Sequence, residues 1–259
     1  MEIKNLIVFP DIHGRDFWKQ YINSLSQEEI QQTMFVFLGD YLDPYEHEKI
    51  SDLEALYNFN EIIEFKKNNP NNVILLLGNH DCSYIYSKAI CNCRYCTRIA
   101  NEVISVFKDN YKLFQIAYEI NYAGKHYIFS HAGIHNNIID LLNTSTGQGL
   151  IYENNVVDRM NEMYLDDMSD YANRNRSMFS DILGYYSVHR GPSPYKFGSP
   201  VWADIREWYS LYNEFNNIRL TYQIFGHTQL RDKPIIGPEF ACIDCRRPFK
   251  ITENGIEEV

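Results

Sequence analysis

One pattern recurs along the chain: a short apolar run rich in β-branched and aromatic residues ends in a polar motif. The five instances are LIVFPDIHG (6–14), MFVFLGD (34–40), NVILLLGNHD (72–81), HYIFSHAG (126–133) and YQIFGHT (222–228). Apolar runs of this length, bounded by Gly, Asp and Asn, are typical of strands buried on both faces. The pattern predicts five buried strands, each followed by polar side chains.

Helical patterns lie between these predicted strands. Ser51 and Glu54 have the spacing of a capping box. The apolar residues after this cap recur every three or four positions and predict one stripe, formed by Leu53, Leu56, Tyr57 and Ile63. Two further helices are predicted over 98–107, with a stripe of Ile99, Val103 and Phe107, and from Tyr152 to about Asn173. Strands that alternate with helices favour one largely parallel sheet, with active residues beyond the carboxyl ends of the strands.

Length and charge narrow the class of protein. No repeat or linker divides the chain, so we expect one domain over residues 1–259. The net charge of −10 argues against broad binding of nucleic-acid backbones, which needs a surplus of Lys and Arg. No apolar stretch approaches the roughly 18 residues that span a bilayer, and the run LIVF is too short for a signal peptide. We therefore expect a cytoplasmic protein with no membrane partner.

The cysteines leave two interpretations open. Cys91, Cys93 and Cys96, together with Cys242 and Cys245, have the short spacings of zinc ligands. A chain without an export signal normally keeps its thiols reduced, so unpaired thiols in strands and near a pocket are the alternative.

Carboxylates, imidazoles and one amide collect where the predicted strands end. They are Asp11, His13, Asp40, Asp43, Asn79, His80, Asp81, His131 and His227. Taken singly, each has an ordinary explanation as a turn former or a hydrogen-bonded core residue. Taken together, mixed nitrogen and oxygen donors at one edge of a sheet predict a site for two divalent first-row metal ions, such as Mn, Fe or Zn.

In this order, the motifs PDIHG, GDYLD, GNHD, SHAG and GHT resemble the motif series of the calcineurin-like metallophosphoesterases. The branch that they resemble contains protein Ser/Thr phosphatases and bis-nucleosyl tetraphosphatases, and the resemblance spans Asp11 to His227. It implies an α/β fold of two packed mixed β-sheets flanked by helices, a four-layer αββα sandwich. The fold implied by the resemblance thus differs from the single doubly wound sheet that periodicity favours.

The resemblance also implies two metal ions, held by one bridging carboxylate and two flanking sets of ligands. These are Asp40 as the bridge, Asp11 and His13 at the first metal, and Asn79, His131 and His227 at the second. Two metals roughly 3.5 to 4 Å apart share a bridging hydroxide, which attacks phosphorus in line. By the same resemblance His80, oriented by Asp43, protonates the leaving oxygen as the general acid.

The pattern departs from the resemblance directly after Asp43. The phosphatase branch continues with Arg-Gly, whose arginine clamps the substrate phosphate, whereas this chain continues with Pro44 and Tyr45. Because a phosphate dianion favours a bidentate guanidinium, we expect another arginine to bind the substrate. The candidates are Arg94 and Arg98 after GNHD, Arg190 in HRGP, and Arg206 in VWADIR.

These residues predict a metal-dependent phosphatase that acts on a phosphomonoester. Its substrate is a phosphoprotein, a nucleotide or a small phosphoester. A bis-nucleosyl polyphosphate pyrophosphohydrolase or a phosphodiesterase remains an alternative, although the acidic balance disfavours a nucleic-acid substrate. A binding scaffold with weak catalysis is the alternative without enzymatic function, and the missing arginine motivates it.

Overall fold

The computed structural model describes residues 3–86, 94–146, 155–169, 178–210 and 221–259. The strands in these ranges are β1 (Asn5–Phe9), β2 (Thr33–Phe37), β3 (Val73–Leu76), β4 (Phe114–Gln115), β5 (Ala117–Tyr122), β6 (Lys125–Ser130), β7 (Thr221–Phe225), β8 (Ile235–Ile236), β9 (Phe240–Cys242), β10 (Phe249–Thr252) and β11 (Gly255–Glu258). The five predicted strands are confirmed as β1, β2, β3, β6 and β7.

The helices lie between the strands. They are α1 (Phe17–Asn23), α2 (Gln27–Gln31), α3 (Asp52–Asn68), α4 (Asn79–Tyr86), α5 (Ala100–Asn110), α6 (Asn136–Thr146), α7 (Val156–Ser169), α8 (Met178–Leu183) and α9 (Ile205–Ser210), with short 3₁₀ helices at Glu46–Glu48 and Tyr111–Leu113. Among the described residues, none of these helices combines the length and apolar character needed to cross a membrane.

Two mixed sheets form the centre of the fold. The six-stranded sheet has the order β11-β10-β1-β2-β3-β4, with β1 to β4 parallel, β10 antiparallel to β1, and β11 antiparallel to β10. The five-stranded sheet has the order β5-β6-β7-β9-β8, with β6, β7 and β9 parallel and the outer strands antiparallel. The two packed sheets that the resemblance implies are therefore confirmed.

Alternation along the strands builds the layers. Leu6 and Val8 of β1 point into an apolar cluster shared with Tyr127 and Phe129 of the second sheet. Ile7 and Phe9 of β1 instead pack with the helices on the outer face of the first sheet. On the far side, Ile205 and Trp208 of α9 cover Phe225, Phe240 and Cys242 of the second sheet. The layer order is helix, sheet, sheet, helix, because each sheet buries both faces.

The single doubly wound sheet that periodicity favours is wrong, and tight hairpins explain the difference. Tyr122 pairs with Lys125, so Ala123 and Gly124 form a two-residue loop, with φ of 48° and 76°. Positive φ at both loop positions is characteristic of a type I′ turn, which folds a strand back on its neighbour. The chain leaves the first sheet after β4, and this turn pairs β5 with β6 in the second sheet instead of adding another parallel strand to the first.

The helix predictions have mixed outcomes. At Ser51 the capping box is confirmed, because its Oγ accepts from Glu54 N at 3.2 Å and Glu54 Oε2 accepts from Ser51 N at 2.7 Å. The stripe predicted for this helix, α3, is wrong at two positions, since Leu53 and Tyr57 are 62% and 68% exposed. The helix instead buries the face of Ala55, Asn58, Phe59, Ile62 and Ile63.

The other two predicted helices are present in the described residues. The predicted stripe is buried, with Ile99 at the N-cap of α5 and Val103 and Phe107 within the helix. The helix predicted from Tyr152 to about Asn173 is found as α7, and its predicted ends lie outside the described residues.

Candidate active site and metal centre

The carboxyl ends of five strands bring the predicted metal ligands together. The ligands are Asp11 and His13 after β1, Asp40 after β2, Asn79 after β3, His131 after β6 and His227 after β7. Parallel neighbours within a sheet end at the same edge. Contacts between the loops join the two sheets there. For example, His131 Nδ1 lies 2.8 Å from Leu38 O, and the Asp11 carboxylate accepts from His227 N at 2.9 Å.

Asp40 lies between two groups of ligand atoms. Its Oδ2 is 3.6 Å from His13 Nε2 and 3.4 Å from His131 Nε2. His13, Asp40 and His80 present donor atoms within 4.8 Å of one another, and so do Asp40, His131 and His227. Since Asp40 belongs to both groups, its carboxylate has the position of a bridge between two cations.

Backbone hydrogen bonds hold this carboxylate in place. Asp40 Oδ1 accepts from His80 N at 2.9 Å. The buried Asp81 carboxylate accepts from the backbone N–H groups of Asp40, Tyr41 and Gly78 at 2.7, 3.1 and 2.8 Å. Asp81, which sequence reasoning noted without a role, thus ties the loop after β2 to the loop after β3.

His131 is oriented by a backbone carbonyl. Because Leu38 O can only accept, the Nδ1 of His131 carries the proton of the 2.8 Å bond between them. His131 Nε2 then faces Asn79 Oδ1 at 3.0 Å and His227 Nδ1 at 3.1 Å. An imidazole held in this way through its far nitrogen presents the other nitrogen as a ligand.

Charge is concentrated at this cluster. Burial lowers the pKa of His131, but the carboxylates of Asp40 and Asp11 outweigh burial and raise the pKa to about 10. A positive charge is therefore favoured where His131 meets these carboxylates. Burial also holds the pKa of His13 and of His227 well below the usual value, so both imidazoles are neutral, the form that binds metals.

A pair of divalent cations fits this donor set. His131 Nε2 lies 3.0 Å from Asn79 Oδ1 and 3.4 Å from Asp40 Oδ2, and a cation coordinated by these atoms would take the place of the proton that the raised pKa favours on Nε2. His227 Nε2 is buried and has no hydrogen-bond partner in the part of the chain that the structure describes. On the other side, His13 Nδ1 lies 2.8 Å from Leu42 O, which leaves Nε2 facing the shared carboxylate of Asp40.

Asp11 lies beside the cluster but outside both groups of converging donor atoms. Its Oδ1 accepts from His227 N at 2.9 Å. Two glycines make room for the carboxylates: a Cβ at Gly226 would lie 2.2 Å from Asp11 Oδ1, and a Cβ at Gly78 would lie 2.1 Å from Asp40 Oδ1. Only glycine permits the loops to approach this closely.

Several site residues have strained backbones. His13, Asp40, Asp43 and His227 have φ of 45°, 53°, 58° and 62°. They account for four of the seven residues other than glycine with positive φ in the described ranges. Each such conformation costs of order 1 to 3 kcal/mol and persists where the surrounding structure enforces it, which is common at functional sites.

The predicted acid pair is in contact. His80 Nδ1 lies 2.7 Å from Asp43 Oδ2, and both side chains are buried. The His80 ring also packs edge-on against His13, with ring centroids 4.9 Å apart. His80 therefore borders the cluster of candidate metal ligands while its Nδ1 is held by a carboxylate.

Arg94 lies beside the acid pair. Its Nη2 and Nε donate to the backbone carbonyl of Asp43 at 2.9 and 3.3 Å. Its guanidinium also stacks over the ring of Tyr45, 3.8 Å from the centroid. Tyr45, one of the two residues that replace the expected Arg-Gly, thus packs against an arginine from another segment.

The other arginine candidates lie elsewhere. Arg190 is ion-paired with Asp204 at 2.8 Å and donates to Thr228 Oγ1 at 2.7 Å, next to His227. Arg206 is 58% exposed and pairs with the same Asp204 carboxylate at 2.7 Å. Arg98 is 67% exposed and contacts Asp52 on the surface.

The cysteine prediction is tested only in part. Cys91 and Cys93 lie outside the described residues. In the described ranges, Cys96, Cys242 and Cys245 are free thiols. Cys242 occupies a buried position in β9, as the unpaired-thiol interpretation expects.

Sequence reasoning missed a further carboxylate, Asp244. It follows β9, the neighbour of β7 in the second sheet, and is buried, and its Oδ1 has no hydrogen-bond partner in the described residues. Burial, followed by the charge of Asp11, raises the pKa of Asp244 well above its usual value. The run FACID (240–244) is an apolar strand followed by a carboxylate, like the five recognised motifs. It was not recognised because Asp244 lies between Cys242 and Cys245, which were interpreted as possible zinc ligands.

Comparisons with known proteins agree with this geometry. The family model described as calcineurin-like phosphoesterase matches residues 4–230. No curated protein sequence matches the chain.

The fold is similar to that of solved phosphatases. One is a cold-active protein tyrosine phosphatase carrying an isoleucine-to-methionine mutation, with 15% identity and a TM-score of 0.57, where the match covers 98% of this chain and 77% of the other. The cold-active protein-tyrosine phosphatase of a psychrophilic Shewanella has 15% identity and a TM-score of 0.54, with coverage of 98% and 77%. A protein serine/threonine phosphatase from Saccharomyces cerevisiae has 14% identity and a TM-score of 0.51, with coverage of 96% and 72%. At these identities the likeness shows the fold alone.

Proposed function

The chain belongs to the calcineurin-like phosphoesterase family, a family of metal-dependent phosphoester hydrolases, and from this premise we propose that it is a phosphatase that cleaves phosphomonoesters. The observation that carries the proposal is the position of Asp40, whose one carboxylate is shared by two groups of converging donor atoms. Packing of the fold does not require a buried carboxylate between two sets of imidazoles, whereas hydrolysis by two metal ions does require one.

The chain's own residues divide into two metal-binding sets. We assign the first metal to Asp11, His13 and Asp40, and the second to Asp40, Asn79, His131 and His227. When bound, two divalent ions supply a hydroxide nucleophile near neutral pH and neutralise charge on the phosphoryl oxygens. Manganese, iron and zinc all suit these mixed donors.

His80 is proposed as the general acid. The 2.7 Å contact with Asp43 favours a proton on His80 Nδ1 and orients the ring. A second proton, on Nε2, is then available to the leaving oxygen when the ester bond breaks. The carboxylate of Asp43 also stabilises the imidazolium that donates this proton.

We propose Arg94 as the main replacement for the missing phosphate clamp. Its guanidinium has five N–H groups, and the Asp43 carbonyl accepts from two of its nitrogens. Arg94 lies beside Asp43, the residue proposed to orient His80. From there we propose that it reaches a phosphate bound between His80 and the metals. Arg190, whose partner Thr228 adjoins His227, is proposed to contact the substrate from the opposite side. Arg206 is the weakest candidate for a substrate contact, because its side chain is exposed and already pairs with Asp204.

Hydrolysis assays test the function directly. We expect the purified chain, freed of metal and then supplied with Mn²⁺, to hydrolyse p-nitrophenyl phosphate and a phosphopeptide. A bis-nucleosyl tetraphosphate and an aryl phosphodiester, measured under the same conditions, report the two alternative activities. Faster turnover of either would reassign the substrate class. Two bound metals per chain without turnover of any of the four would favour the binding scaffold and contradict the proposal.

Replacing Arg94 with alanine should weaken substrate binding. A hydrogen bond to a charged group contributes about 1.5 to 3 kcal/mol, so we expect kcat/KM for p-nitrophenyl phosphate to fall about 10- to 100-fold. The inhibition constant of inorganic phosphate should rise in parallel. Arg94→Lys keeps the charge but not the planar fork and should recover only part of the loss.

Lys67→Ala is the matched control, because it removes one exposed positive charge at the far end of α3. It should leave both constants within about twofold, as surface charges contribute little. Unchanged phosphate inhibition in Arg94→Ala would show that another arginine holds the phosphate.

A further inference from the structure

We propose that Tyr84 is a positioning residue for the general acid, and that it couples the acid to the segment that carries Arg94. This inference rests on the proposed function of His80. Three contacts in series carry it: Cys96 N donates to Tyr84 OH at 3.0 Å, Tyr84 OH donates to Asp43 Oδ1 at 2.5 Å, and Asp43 Oδ2 lies 2.7 Å from His80 Nδ1.

The donor and acceptor roles in this series of hydrogen bonds are fixed by the groups at its two ends. The backbone N–H of Cys96 can only donate, so it uses a lone pair of the Tyr84 oxygen. The hydroxyl proton must then point to Asp43, whose carboxylate accepts it. Burial, and after it the charge of Asp43, raises the pKa of Tyr84, so the hydroxyl keeps this proton.

Burial makes the contact between Tyr84 and Asp43 important. Tyr84, Asp43 and His80 are 1%, 4% and 7% exposed, so water has little access to replace a lost hydrogen bond. With Oδ1 held by Tyr84, the carboxylate plane is set so that Oδ2 faces the imidazole. Without the hydroxyl, Asp43 Oδ1 would lose its buried partner, and the orientation of His80 would loosen.

The segment Arg94–Cys96 holds Asp43 from two directions. Arg94 donates to its backbone carbonyl, while Cys96 acts on its carboxylate through Tyr84. Tyr95 stacks on the Tyr84 ring, with centroids 4.6 Å apart. A phosphate that engages Arg94 is thereby linked to the orientation of the acid, through residues that adjoin in sequence.

Tyr84→Phe tests the inference, because it removes only the hydroxyl and keeps the stacked ring. Protonation by an acid matters most for a poor leaving group. A general acid contributes about 10²- to 10⁴-fold, and we expect loss of its orientation to reduce kcat for phenyl phosphate about tenfold. For 2,4-dinitrophenyl phosphate, whose leaving group needs little protonation, kcat should change less than about twofold, and KM should stay unchanged for both.

Tyr86→Phe is the matched control. It lies on the same helix, and its hydroxyl is buried without a hydrogen-bond partner in the described part of the chain. Kinetics with both substrates should match those of the wild type. An equal loss on both substrates in Tyr84→Phe, or no loss on either, would overturn the positioning role.

An NMR measurement tests the chain of contacts without turnover. The ring N–H proton of His80, identified by its disappearance in His80→Gln, should resonate far downfield because of the short contact with Asp43. It should shift or broaden in Tyr84→Phe and remain unchanged in Tyr86→Phe, and an unchanged resonance in Tyr84→Phe would overturn the inference. Wild-type protein that hydrolyses no phosphoester would instead contradict the proposed function, which separates the two failures.

Discussion

Replacing Asp40 with asparagine should abolish phosphatase activity while leaving the fold intact. The change removes the negative charge shared by His13 Nε2 and His131 Nε2, at 3.6 and 3.4 Å, but keeps the volume of the side chain. Metal assistance is worth several kcal/mol, and about 1.4 kcal/mol is tenfold in rate, so kcat should fall by about 10³-fold or more. Steady-state kinetics and metal content by mass spectrometry measure the effect, with fewer than two metals expected per chain.

The asparagine variant is a strict test because its remaining oxygen can still accept from His80 N, the bond that Asp40 Oδ1 makes at 2.9 Å. Thermal unfolding should therefore show a folded protein. Asp158→Asn, an exposed change in the first turn of α7, is the matched control and should retain full activity and both metals. Wild-type turnover and metal content in Asp40→Asn would contradict the bridging role.

The residues that we propose as metal ligands were open to prediction because the signals are local. A buried strand and the polar residues directly after it adjoin in sequence, and parallel strands end at one edge. Asp40 and His131 could therefore be recognised from the residues around them. Gly78 and Gly226 stood in the same motifs, although their close approach to carboxylates only became visible in three dimensions.

What sequence reasoning missed depends on distant contacts. The hydroxyl of Tyr84 reaches a carboxylate 41 positions earlier in the chain, which no periodicity shows. Leu53 and Tyr57 fit a helical stripe, yet tertiary packing turned a different face of α3 toward the core. Asp244 entered the site only because β9 pairs with β7 in the second sheet.

His80→Gln should slow hydrolysis in a way that depends on the leaving group. Loss of a general acid costs about 10²- to 10⁴-fold, so we expect kcat for phenyl phosphate to fall within this range, with a much smaller loss for 2,4-dinitrophenyl phosphate. The measurement is a plot of log kcat against leaving-group pKa for a series of aryl phosphates. Its slope should be steeper in the variant, because the departing oxygen must then carry its full negative charge.

The position of His80 allows a competing role, and the same variant separates the two. His80 belongs to one group of converging donor atoms with His13 and Asp40, so it could bind a metal instead of donating a proton. Loss of one metal, with an equal fall in rate for all leaving groups, would assign it as a ligand and contradict the acid role. If His80 is the acid, two metals should remain. Adding Tyr84→Phe to His80→Gln should then cause little further loss, because Tyr84 acts only through the imidazole that is already absent.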